Sequence, residues 1–147
     1  MKQMLAIWAL TTTALFLKMV AIAIIQGFVR TSNNAFAKPE DAAFFGKGKE
    51  PLAEDLPMAR WGQAALRNDL ENIPIFIALS YAYVALGAWE LGAKIYFPLF
   101  VVARIAHTFC YLPPKQPFRT LSYGVGLLTA LVVSGHVIYE AIQILIG

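Results

Sequence analysis

Arg67-Asn68-Asp69-Leu70-Glu71-Asn72 runs into the apolar segment Ile73 to Leu86 with no glycine between them. An unpaired charge at membrane depth costs about 2.5 to 3.5 kcal/mol by insertion scales, so a chain that carries charges into an apolar helix generally uses them. The junction points to a polar site inside a membrane.

Composition supports the membrane. Of 147 residues, 59% are hydrophobic and 14% charged, with mean hydropathy +0.60, whereas soluble domains average about 45 to 50% apolar and about 25% charged. The apolar residues are gathered into four runs, each long enough to cross a hydrocarbon core of about 30 Å as a helix. The expected fold is all-α and integral to the membrane, a bundle of four transmembrane helices at about 4–29, 58–88, 95–112 and 119–146. A helix satisfies its own backbone in lipid, so helices are the natural form for these runs. The whole chain, 1–147, reads as one domain with a long loop at 30–57. Two shorter connections force their flanking helices side by side.

Lysine and arginine set the expected orientation. The long loop carries Arg30, Lys38, Lys47 and Lys49, with Arg60 and Arg67 just after it, and the third loop carries Lys115 and Arg119; the other side has Lys2 and Lys94. By the positive-inside rule loops one and three face the cytoplasm and both termini the opposite side, in a bacterial cytoplasmic or an endoplasmic-reticulum-type membrane. The net charge of +3 calls for no nucleic-acid partner. Lys18 interrupts the first run and no small-residue cleavage site stands out, so that run reads as a retained helix rather than a signal peptide.

Polar residues recur on single helix faces. Arg67 and Glu71 are four apart with Asn68 between them, Arg104, His107 and Tyr111 follow at spacings of three and four, and Arg119 and Tyr123 are four apart. With Arg30 they form a basic ring near one mouth of the bundle. From spacing alone two readings stand: a ligand site, or a solvated extension of helix two with an Arg67–Glu71 pair contributing about 0.3 to 0.5 kcal/mol. Arg104 likewise reads as a ligand contact or as one half of an interhelical pair, with Glu71 as the partner. Arginine forks suit carboxylate or phosphate, and one glutamate among them suits an amine. Glutathione meets these requirements, as does a phosphorylated ligand. His136 and Glu140 are too few for a zinc site, so no metal is assigned. Cys110 reads as a packing residue, and Lys18 as snorkelling or facing an oligomer axis. Asp41 reads as orienting a site arginine or capping a short helix. A transporter is disfavoured, because the polar residues collect at one end.

The runs Arg67 to Ile73 and Ala103-Arg104-Ile105-Ala106-His107-Thr108-Phe109-Cys110-Tyr111-Leu112, with Gln26 to Arg30, Ala35 to Ala42 and Gln116 to Thr120, resemble the membrane-associated proteins in eicosanoid and glutathione metabolism, the MAPEG family. The resemblance spans nearly the whole chain, in order, and is nearest to the family's glutathione-transferase and prostaglandin-synthase branches. It implies a homotrimer with glutathione as co-substrate, held between neighbouring subunits and open to the cytoplasm. A hydrophobic electrophile or lipid hydroperoxide enters from the membrane lipid. Carried over by position, Arg30, Arg67, Asn68, Glu71, Arg104, His107, Tyr111, Arg119 and Tyr123 bind glutathione, and Arg119 with Thr120 is catalytic. The implied activity is a detoxifying glutathione transferase with peroxidase activity; an isomerase of the prostaglandin-synthase kind and a non-catalytic binder of the same fold are the alternatives. The chain departs from the family pattern at Ala64, where relatives carry an arginine. It departs also at Thr120, where the prostaglandin synthase has serine, and at Pro74, one residue earlier than the usual proline.

Overall fold

The computed structural model describes residues 1–112 and 116–147; Lys115, assigned above to the third loop, lies outside them. The described residues form helices α1 (Lys2–Asn33), α2 (Pro39–Phe45), α3 (Pro57–Ala85), α4 (Glu90–Tyr111) and α5 (Phe118–Ile146). Three of them, α1, α4 and α5, are long and apolar enough to cross a membrane. α3 is 29 residues long, but Arg60, Arg67, Asp69 and Glu71 occupy its first half and leave its apolar stretch shorter.

Local chemistry explains the helix ends. α1 continues past the expected 4–29 as far as Asn33, because Asn34 takes a left-handed conformation (φ 46°) and donates its N–H to the carbonyls of Arg30 and Thr31. Asparagine tolerates that region better than most residues. α2 and α3 each begin at a proline, whose missing N–H costs nothing in a first turn. The loop expected at 30–57 therefore contains a short helix. α3 stops at Ala85 rather than 88, since Gly87 follows with φ 70°, and α4 then starts at Glu90, earlier than the expected 95. The Tyr83 hydroxyl donates to the Trp89 carbonyl at 2.7 Å and ties the two helix ends together.

α3 packs against α1, α4 and α5, while α1 and α5 each pack on α4. The buried positions of α3 are Ala59, Gly62, Ala65, Asp69, Ile73, Phe76, Ser80, Tyr83 and Val84, a stripe at spacings of three and four. It meets Phe97 and Phe100 of α4: Phe76 stacks on Phe100 at 3.6 Å and meets Phe97 edge-on at 6.0 Å. α1 and α5 bury only narrow stripes and expose large apolar side chains outward, among them Leu10, Phe16, Phe28, Leu128 and Leu131. Such surfaces suit a lipid environment.

Three charges lie on these inward stripes. Lys18 of α1 turns into the bundle and bonds Asp69 Oδ2, rather than snorkelling or facing an oligomer axis. Arg104 of α4 donates to Asp69 Oδ1 from Nε (3.2 Å) and Nη2 (2.7 Å). Its partner is Asp69 and not Glu71, because Asp69 is on the buried stripe of α3 whereas Glu71 is exposed.

Candidate functional site

A cleft of about 250 Å³ opens where α3, α4 and α5 converge, lined by Asn68, His107, Tyr111, Arg119, Thr120 and Tyr123. All six were singled out by sequence. His107 and Tyr111 stand one turn apart on α4, with ring centroids 5.3 Å apart, and Tyr123 of α5 closes on His107 at 6.0 Å. The Arg119 guanidinium lies over the Tyr111 ring at 4.9 Å, close enough for a cation–π contact.

Gln116 fixes the next two residues. Arginine only donates, so the Gln116 amide oxygen faces it, accepting from Arg119 Nε at 3.2 Å and Nη2 at 2.7 Å. The Gln116 nitrogen is then left to donate to Thr120 Oγ1 at 2.9 Å. Because Thr120 accepts there, its own hydroxyl hydrogen stays free. His107 is buried, and its Nδ1 has no hydrogen-bond partner among the described residues. An orphaned buried imidazole nitrogen beside a guanidinium, phenols and a free hydroxyl makes a donor-rich cleft suited to an anion.

The other expected site residues are placed elsewhere. Arg104 is 1% exposed and turned away into the ion cluster. It reaches the cleft through one bond, Nη2 to Asn68 Oδ1 at 2.5 Å. Arg67 is exposed on α3, where it shares a separate groove with Arg60, Gln63, Ala64, Leu66 and Leu70. Glu71 is exposed too, and the two form no ion pair among the described residues. Arg30 pairs with Asp55, at 3.0 Å from Nε and 2.5 Å from Nη2 to Oδ2. Arg60, at the far side of Ala64, pairs with Glu54. The single chain thus divides the expected ring into a cleft and a separate exposed face of α3.

Sequence reasoning missed Asp69, Gln116 and Asp55 as partners. Asp69 carried a usable signal, since it interrupts the inward series Ala65, Ile73 and Phe76 and must therefore be buried. Gln116 stands four residues before Thr120, the spacing that makes side chains meet on a helix. Asp41 makes no side-chain bond among the described residues and occupies the first turn of α2, where an acid suits the helix dipole. His136 is packed among the rings of Tyr83, Trp89 and Tyr96 at 5.5 to 6.2 Å. Cys110 lines an apolar crevice of about 380 Å³ between α4 and α5 with Leu99, Val102, Ala106, Phe118 and Leu121.

Long outward-apolar helices, a buried ion cluster and a donor-rich cleft beside it define a helical membrane protein with a polar cleft at one end. The sequence matches the MAPEG family over residues 8–139, and the chain belongs to that family. It is 37% identical to the prostaglandin E synthase of Homo sapiens over 133 residues, 90% of this chain and 86% of the relative. It is 42% identical over 118 residues to the microsomal glutathione S-transferase 1 of Rattus norvegicus, covering 78% of this chain and 76% of the relative. The Homo sapiens microsomal glutathione S-transferase 1 is equally similar, at 42% over 118 residues.

Proposed function

We propose that this protein is a membrane-bound glutathione transferase that conjugates glutathione to hydrophobic electrophiles and also reduces lipid hydroperoxides. The observation that carries the reading is the setting of Arg119, held over Tyr111 and by Gln116 on the wall of a cleft with His107, Thr120 and Tyr123. A guanidinium beside a thiol favours the charged form and lowers the thiol pKa, so the nucleophile forms without a general base. The Thr120 hydroxyl, accepting from Gln116, is free to donate to the same sulfur. The thiolate attacks the electrophilic carbon, a C–S bond forms, and the leaving group departs with its electron pair.

Arg30, Arg67, Glu71 and the cleft residues act together in this reading only if the site is shared between subunits. The exposure of Arg67 and Glu71, neither of which lines the cleft, supports a homotrimer in which α3 of one copy completes the cleft of the next. Each subunit is one membrane domain, crossing four times, with the cleft and the long loop on the cytoplasmic side and both termini opposite. The distribution of lysine and arginine favours that orientation. The apolar crevice beside Phe118 and Leu121, next to Arg119 in the chain, suits the approach of the second substrate from lipid.

A second reading, an isomerase of the prostaglandin E synthase kind using the same thiolate, is favoured by the identity to those synthases over 90% of the chain. The test is conjugation of glutathione to an aryl halide by the purified protein in detergent, beside Arg119→Ala and Glu71→Gln. Activity in the parent that collapses in both variants supports the transferase. Glutathione binding by calorimetry without conjugation moves the assignment to the isomerase, and absence of both overturns the glutathione reading.

A further inference from the structure

Among the described residues, Asn68 is the cleft residue tied directly to the buried charges. Its Oδ1 accepts from Arg104 Nη2 at 2.5 Å. Arginine has no acceptor, so this bond fixes which end of the amide faces the cluster, and Nδ2 is left without a partner among the described residues on a side chain that lines the cleft. Arg104 cannot swing away, because Asp69 holds it through Nε and Nη2, and Asp69 is in turn held by Lys18 from a third helix. Asp69 is fully buried and Arg104 is 1% exposed. Lys18, Asp69 and Arg104 sum to one net positive charge just behind Asn68, and water, which would screen it, is excluded from both partners of the Asp69–Arg104 pair.

We propose that the Lys18–Asp69–Arg104 cluster is a positioning unit that locks Asn68 with both amide hydrogens toward the cleft, making Asn68 the residue that selects a carboxylate of the ligand over its neutral ester. The inference rests on the cleft being the glutathione site. It changes the role of Arg104 from ligand contact to support: Arg104 acts through Asn68. An asparagine free to flip would offer an oxygen as readily as a nitrogen and would accept an alcohol or amide equally well. Locked against a guanidinium, it has only donors to give, and an acceptor-only group with negative charge is the best match.

The experiment compares glutathione with glutathione diethyl ester by calorimetry and by steady-state conjugation, using the full-length protein in detergent, for the parent, Asn68→Asp and Asp69→Asn. Asn68→Asp keeps an oxygen for Arg104, and so keeps the buried arginine satisfied, but removes the donors from the cleft. It is expected to lose about tenfold or more in affinity for glutathione, with ester affinity unchanged within about threefold. KM for glutathione rises while KM for the diethyl ester stays within about threefold of the parent's, a split between two substrates that a loss of folding would not produce. Asp69→Asn, which releases Arg104, is expected to lower the acid-to-ester preference in the same direction. Parent binding of glutathione together with an unchanged acid-to-ester ratio in Asn68→Asp overturns the lock while leaving the site assignment standing. A parent that binds neither compound overturns the site reading and the lock with it.

Discussion

Arg119 spends two of its nitrogens on Gln116 and stacks on Tyr111, while its Nη1 has no partner among the described residues. A guanidinium held in this way is preorganised toward a developing negative charge and need not reorient to meet it. Arg119→Ala is therefore expected to raise the pKa of bound thiol. At neutral pH the conjugation rate falls by about tenfold for each unit of that rise, and the rate–pH profile moves to more alkaline pH. Arg119→Lys keeps the charge but loses the fork and should lie between the two. Thiolate absorbance and conjugation rates measured across pH check both variants; a parent-like profile in Arg119→Ala removes Arg119 from the chemistry. At this scale the sequence already offered an interhelical ion pair for Arg104, which the structure shows, but named the wrong acid for it. Spacing put Glu71 forward as the partner of Arg104, because Glu71 shares a face with Arg67. Asp69 lies about 200° around the helix from Arg67, on the stripe of Ala65, Ile73 and Phe76, and a charge on that stripe can be satisfied only by charges on facing stripes. Lys18 and Arg104 occupy those positions on α1 and α4.

The turn between α3 and α4 depends on a residue without a side chain. A Cβ on Gly92 would stand 2.4 Å from the Tyr83 hydroxyl, 2.8 Å from the Trp89 ring and 2.9 Å from the Tyr96 ring. Tyr83 is fully buried and bonded to Trp89, so it cannot retreat. Gly92→Ala is expected to cost about 1 to 3 kcal/mol through overpacking, readable as a lowered thermal midpoint in detergent. Gly62→Ala should cost less, since the atoms it meets belong to the Gln26 side chain. The loop after α1 is tethered differently, by Arg30 and Asp55. Hydrogen bonds from Arg30 hold the Asp55 carboxyl below its ordinary value of 3.8. A carboxyl depressed in the folded state stabilises it above the unfolded pKa, and that contribution fades as pH falls from there through the folded value. The tether is thus complete at neutral pH and lost only in acid. Both partners are partly exposed, so its worth is under about 1 kcal/mol. Asp55→Asn should expose the segment around residues 46–56 to faster proteolysis at neutral pH, with the difference from the parent shrinking below pH about 4. The long helices were legible in the apolar runs. Their ends were not, because Asn34 and Gly87 stop or divert the chain through backbone conformation, which hydropathy does not report.

Helix periodicity tells which residues share a face but not which molecule that face meets. That is why a single basic ring could be read from the sequence, whereas the folded chain shows a cleft with Arg119, a separate groove with Arg67, and Glu71 exposed on α3 outside both linings. Neither face alone holds the full set of donors and the carboxylate that a zwitterionic tripeptide requires. In the proposed homotrimer each site takes Arg119 from one subunit and Glu71 from its neighbour around a closed ring, a heterologous contact repeated three times. This geometry has a consequence that a site within one subunit does not share. Arg119→Ala and Glu71→Gln subunits are each expected to form inactive trimers. When they are co-expressed in equal amounts and assemble at random, an interface is intact wherever a Glu71→Gln subunit supplies its Arg119 to an Arg119→Ala neighbour, which supplies its Glu71. Random pairing makes that about one interface in four. Conjugation should therefore recover to about a quarter of the parent's rate per trimer, while the two variants purified apart and mixed without subunit exchange stay inactive. Native mass spectrometry of the co-expressed sample identifies the mixed trimers. Mixed trimers with no recovered activity would place Arg119 and Glu71 in the same subunit's site, or Glu71 outside it.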